Sequence, residues 1–320
     1  MHTCGIDSHG VIRMLYFFLL LLLALLFFPE LATAGAMEAL RICGSAVIPA
    51  LFPFFLLSRL LASYLPVPKR GPSYLPALLM SFLGGYPVGI STVVSLYEGG
   101  QISKSEAQKA LRICNNSGPG FFVAVAGSVV LHDSRAGLLL YAIHVLSALL
   151  TASLWLHAPE NKLIVHRKPQ PIPFPQQFQR ALNASCNAML QVCGLVILFS
   201  VLLSLLRPLL PSSLLPLVSG SLELTSGILS LQGHPHAFLL CALFMSWGGL
   251  CVHMQAISLW QSAGLQCKGY LFHKLLHALL SAWLACVVRM PSLFFSTIVL
   301  FLLFSQIRKK CAGKKAAFAV

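Results

Sequence analysis

The apolar pattern of this 320-residue chain is broken twice in each half by glycine, proline and small polar residues, and the breaks come in matching order. In the first half GGYPVG, Gly84 to Gly89, is followed by NNSGPG, Asn115 to Gly120. In the second, GSLELTSG, Gly220 to Gly227, is followed by WGGLCVHMQ, Trp247 to Gln255. Such residues free backbone donors and acceptors that hydrocarbon cannot satisfy, so these breaks persist only inside protein or beside a watery cavity. Paired breaks in two halves of a membrane chain point to a transporter site between them.

The membrane reading rests on charge. With 57% hydrophobic and 9% charged residues and a mean hydropathy of +0.82, the chain cannot build the surface of a soluble fold, which needs roughly a quarter of its residues charged. A formal net charge of +14 invites a nucleic-acid partner. The basic residues instead cluster in loops and near the C-terminus, between apolar runs, which is the positive-inside pattern; no nucleic acid is expected. The ten cysteines include no CxxC pair, and His273 and His277 lie one helical turn apart with no carboxylate nearby. They are read as interfacial or packing residues, and neither a metal nor a cofactor is expected. Serine-hydrolase, zinc-protease, Walker and dinucleotide signatures are missing from the sequence, so the chain is not expected to be an enzyme.

The predicted fold is an all-α polytopic membrane protein, with about eight transmembrane helices and two re-entrant hairpins arranged as inverted repeats. Residues 1–36 form an N-terminal transmembrane helix or signal anchor, read as uncleaved. Residues 37–157 form the first repeat and 158–180 a Pro-rich basic cytoplasmic linker. Residues 181–260 form the second, inverted repeat, and 261–320 the C-terminal helices and basic tail. Within the first repeat, Gly84, Gly85, Pro87 and Gly89 split the apolar run from Pro72 to Glu98 into arms too short to cross a bilayer, hence a hairpin. Ser103 and Glu106 form an S-x-x-E capping box that starts the next helix, which dips into the membrane and meets the NNSGP break. Lys69, the segment from Lys104 to Arg112, the linker and the tail from Arg308 to Lys315 are placed in the cytoplasm and Asp133 outside, with both termini cytoplasmic.

Four clusters are the candidate substrate-binding residues. Gly84, Gly85, Tyr86 and Pro87 form the tip of the first hairpin, where Tyr86 offers a ring to an aromatic ligand. Asn115, Asn116, Ser117 and Gly118 supply donors and acceptors beside freed helix ends, and a half-helix starting near Pro119 would turn its positive end toward an anion. Glu223, the only carboxylate side chain after Glu160, stands beside Thr225 and Ser226 in the second break; an ionisable group at membrane depth is a functional candidate by default. Gly248, Gly249, His253 and Gln255 form the counterpart in the last break. Arg41 and Arg59, near the ends of their span, are expected to snorkel to an interface.

In order and spacing, LFPFFLLSRLL, GGYPVGISTVVSLYEGGQIS, EAQKALRICNNSGPGF, LELTSG and WGGLCVHMQ resemble the sporulation integral membrane protein family known as YlbJ, of the nucleoside-recognition or Gate domain group. The resemblance covers residues 37–260 and, more loosely, those beyond. It implies an architecture similar to that of concentrative nucleoside transporters, in which two hairpins and two broken helices surround the substrate. It also implies a secondary transporter of a small anion, dipicolinic acid, in the outer forespore membrane; whether a proton or a sodium ion couples the transport stays open. Two other readings stay open: a non-transporting scaffold or assembly factor for the spore envelope, and a nucleoside-type transporter. The expected partners are the small-molecule anion and the lipid bilayer.

Overall fold

The computed structural model describes residues 8–64, 72–154 and 173–290, and every regular element among them is helical. The expected cytoplasmic turn at Lys69 and Arg70, most of the 158–180 linker, the expected last span over 293–307 and the basic tail lie outside the described residues.

The chain opens with α1 (Ser8–Phe27) and α2 (Pro29–Ile42), bent by 95° at Phe28, where Pro29 starts the second helix with no donor to lose. A π-helical turn (Cys43–Val47) leads into α3 (Ile48–Tyr64), which carries Pro53 inside it. The first hairpin is α4 (Leu75–Gly84) and α5 (Val88–Glu98). These helices have ten and eleven residues, about 15 Å each, which is half the thickness of a bilayer core. Next comes α6 (Lys104–Ile113), started by the expected capping box: Glu106 N–H donates to Ser103 Oγ at 3.2 Å and Ser103 N–H to Glu106 Oε2 at 2.8 Å. After the break a π-helix (Phe121–Val130) and α7 (Ser134–Ser153) complete the first half.

The second half starts with α8 (Phe174–Leu206), followed by a short hairpin of α9 (Leu215–Leu222) and α10 (Leu224–Leu229). The broken pair α11 (Ala237–Trp247) and α12 (Gly249–Ser262) and then α13 (Tyr270–Arg289) follow. Helix α8 already begins at Phe174, so the last part of the expected linker is helical. Pro173 stands at the N-cap and Pro175 in the first turn, where a proline breaks no helical hydrogen bond.

Four described helices are long and apolar enough to cross a membrane, Ser134–Ser153, Phe174–Leu209, Ala237–Ser262 and Tyr270–Arg289, or five if the bent pair of α1 and α2 is one span. The expectation of about eight spans is met to that extent only: α3 and the two short helices flanking the NNSGP break, α6 and the π-helix, fall below a span's length, and the expected last span over 293–307 lies outside the described residues.

Three buried clusters hold the bundle together. Phe122, Leu140, Ile228 and Met245 join the π-helix, α7, α10 and α11; Ile90, Leu111, Ala256 and Trp260 join α5, α6 and α12; Ala39, Phe55, Met80 and Val196 join α2, α3, α4 and α8. Large apolar side chains such as Phe17, Leu190 and Phe272 face outward. Outward apolar faces suit lipid, where close packing and internal hydrogen bonds replace the hydrophobic effect as the force between helices. Two sets of contacts mark the ends of the bundle. At one end Arg112 Nε donates to the Lys268 carbonyl at 3.0 Å and Cys267 Sγ approaches the Gln108 carbonyl at 3.5 Å. At the other, His132 meets Gln232 at 3.4 Å and the Arg289 guanidinium lies over the Phe238 ring at 4.4 Å.

Candidate functional site

Each hairpin tip packs against the break of its own half. In the first half Gly85, at φ 70°, abuts Gly118 so closely that a Cβ on Gly85 would sit 2.7 Å from the Gly118 nitrogen; only glycine fits that backbone and that approach. Asn116 braces the same junction, its amide donating to Ser81 Oγ on α4 at 2.9 Å and to the Ile113 carbonyl at 2.8 Å. Pro87 caps α5 and Gly84 ends α4, both buried under the tip. In the second half Glu223 is extended between α9 and α10, and its carboxylate accepts from the Thr225 and Ser226 N–H groups at 2.8 and 2.6 Å. The sequence placed a polar carboxylate in this break; the structure makes it the N-cap of α10. Gly249 packs on the backbone beside Glu223, and Trp247 Nε1 donates to the Ser221 carbonyl at 3.2 Å. Ser226 reaches Ser200 on α8 at 3.3 Å.

The two halves meet around one cavity of about 50 Å³. Of the candidate residues, Gly85, Tyr86, Ser117, Gly118, Glu223, Thr225 and Gln255 line it, with Val47 and Leu51 from the π-turn and α3 and Val192 and Val196 from α8. That volume holds a few water molecules. Gly84, Pro87, Asn115, Asn116, Ser226, Gly248, Gly249 and His253 do not line it.

Tyr86 spans the two halves. Its hydroxyl donates to the Met245 carbonyl on α11 at 3.2 Å and packs on Gly248, which at φ 95° presents no Cβ; an added one would lie 3.1 Å away. Behind Tyr86 lies a polar layer that sequence reasoning missed. Lys274, 1% exposed, donates from Nζ to the Asn115 carbonyl at 2.8 Å and to the Tyr86 hydroxyl at 3.3 Å. The Asn115 amide donates to the Tyr270 hydroxyl, which also meets His253 Nδ1 at 2.9 Å. Ser117 N–H donates to His144 Nε2 at 3.2 Å, which makes that nitrogen an acceptor and leaves Nδ1–H to donate to Ser246 Oγ at 2.9 Å. His277 Nε2 donates to the His144 carbonyl at 3.1 Å. His273 and His277 are both buried, so they pack inside the bundle and not at an interface. The signal for this layer was present in the sequence: from Tyr270 through the adjacent His273 and Lys274 to His277 and Ser281, polar residues return within three or four positions, a polar stripe along an otherwise apolar helix, and all five are buried.

Three buried atoms complete the chemistry. Asn115 Oδ1, His253 Nε2 and Gln255 Oε1 have no hydrogen-bond partner among the described residues, and Gln255 lines the cavity. Buried polar atoms without partners are rare in folded proteins.

Over 325 aligned positions the chain is 25% identical to the sporulation integral membrane protein YlbJ of Bacillus subtilis (strain 168), with 83% of this chain and 79% of that protein covered. This chain is similar to a sporulation membrane protein. The likeness agrees with the resemblance that the ordered motifs carry, and with the apolar helices it makes the chain an integral membrane protein. No family model matches the chain, and no solved structure does.

Proposed function

We propose that the chain is a secondary transporter of a small anionic solute with a role in sporulation, and that the solute is dipicolinic acid crossing the outer forespore membrane. The observation that carries this reading is the meeting of both hairpin tips and both broken helices around one cavity, where irregular backbone is tolerated at membrane depth. Freed helix ends and the Gln255 oxygen, which has no hydrogen-bond partner among the described residues, supply polar groups there. The likeness to a sporulation membrane protein supports the setting.

The reading includes inverted repeats. The first hairpin returns through the 99–103 loop toward the end of the bundle marked by Arg112 and Lys268, and the second returns through the 230–236 loop to the end marked by His132, Gln232 and Phe238. Hairpins entering from opposite faces, with the basic end in the cytoplasm, are the arrangement that lets one central site open alternately to each side.

The test is uptake of labelled dipicolinate by proteoliposomes, beside uridine, with imposed proton or sodium gradients. Protein-dependent dipicolinate uptake driven by one gradient is expected. Folded, correctly inserted protein that moves neither solute would exclude transport of both and favour a scaffold.

A further inference from the structure

Lys274 is a basic group held among neutral partners. Its ammonium has three N–H donors, of which two go to the Asn115 carbonyl and the Tyr86 hydroxyl. Among the described residues no ion pair joins Lys274 to a carboxylate. The groups around it are Tyr86 from the hairpin, Asn115 from the break, His144 from α7, His253 from α12, and Tyr270, His273 and His277 on its own helix. None is acidic. The carbonyl it holds follows α6, at the negative end of that helix, which favours a cation there but does not replace a counter-ion. A buried cation without an anion is costly, and an incoming carboxylate that binds it gains a charge-assisted hydrogen bond, stronger than one to a neutral hydroxyl.

Resting on the transporter reading, we propose that Lys274 is the counter-charge for a carboxylate of the transported solute, and that this carboxylate takes the place of the Tyr86 hydroxyl on the ammonium. Tyr86 lines the cavity, Lys274 does not, and the Tyr86 hydroxyl is hydrogen-bonded to the Lys274 ammonium at 3.3 Å. The same hydroxyl ties the hairpin tip to α11 through the Met245 carbonyl. Capture of the anion therefore frees one of the two bonds that fasten the first hairpin tip across the halves, and solute binding loosens the element that must move.

The experiment is calorimetric titration of the purified full-length protein in nanodiscs with dipicolinate and with the neutral pyridine-2,6-dicarboxamide, for the wild type, Lys274→Gln, Lys274→Arg and Tyr86→Phe. Lys274→Gln is expected to weaken dipicolinate binding by about tenfold or more and to leave the dicarboxamide unchanged, while Lys274→Arg restores most of the affinity. Tyr86→Phe removes the competing acceptor and is expected to tighten dipicolinate binding. Wild-type binding that Lys274→Gln leaves intact would overturn the role of Lys274 while the transporter reading stands. A wild type that binds neither dipicolinate nor uridine would instead overturn the transporter reading. Should Lys274→Gln not yield folded protein, Tyr86→Phe decides: tighter dipicolinate binding supports the proposal, and equal or weaker binding overturns it.

Discussion

The ammonium of Lys274 and the main-chain oxygen of Asn115, 159 residues apart in the chain, lie 2.8 Å from each other in the interior of the bundle. This bond joins α13 to the break that follows α6, and through Tyr86 it reaches the first hairpin tip. The polar break is thus held by a third element as well as by the hairpin of its own half.

Glu223 caps α10 with both carboxylate oxygens. Glu223→Gln keeps one acceptor and the shape, so it is expected to lower the melting temperature slightly and solute uptake strongly. Glu223→Ala removes the cap, at a cost of about 1 kcal/mol or more, and is expected to lower both. Parallel thermal unfolding in detergent and uptake in proteoliposomes check this. Normal uptake by folded Glu223→Gln would take its charge out of the mechanism.

Asn116 and Ser81 tie the first break to α4 at 2.9 Å. Asn116→Ala is expected to destabilise the protein by about 1–3 kcal/mol, since Ser81 Oγ and the Ile113 carbonyl both lose a donor. A double-mutant cycle with Ser81→Ala measures the coupling, expected at about 0.5 kcal/mol or more for residues in contact. Strict additivity would show that the bond contributes nothing.

Gly248 has φ 95° and faces the Tyr86 hydroxyl. Gly248→Ala combines backbone strain of about 1–2 kcal/mol with a crowded contact. Its melting temperature is expected to fall, and Tyr86→Phe in the same chain to recover part of the loss by removing the crowding oxygen. No recovery would place the whole cost in the backbone.

Glu106 lies at the loop-side end of α6. Burial pushes its carboxyl up, but hydrogen bonds from Ser73 and Ser103 and the charge of Lys109 outweigh it and hold it below the ordinary 4.5. A depressed folded value means that its contribution is present above the unfolded value and is lost as pH falls through the folded one. Wild-type stability is therefore expected to fall more steeply below about pH 4.5 than that of Glu106→Gln, as read by denaturation across that range. Parallel curves would remove Glu106 from the acid sensitivity.

The proposed inverted topology would place Asp133 and Lys268 on opposite sides of the membrane. Single cysteines at these positions in a cysteine-free background are expected to react with an impermeant external reagent at Asp133→Cys and only after permeabilisation at Lys268→Cys. Labelling of both from one side would defeat the inverted arrangement.

The breaks were legible in the sequence because backbone satisfaction in lipid is a local demand. Gly85 stands where no side chain fits, Gly118 and Gly248 stand where one would be crowded, Ser103 and Glu106 cap the helix they predict, and Glu223 marks the second break. What the breaks touch was not legible. That the Asn116 amide bonds Ser81 and Ile113, and that the Tyr86 hydroxyl joins the halves, follows from tertiary structure alone. Lys274, near the start of an apolar helix, has the sequence position of a residue that snorkels to water. Only the packing of α13 against α6, α7 and α11 carries it inside, because burial depends on which neighbours cover a helix face, and those neighbours come from distant parts of the chain.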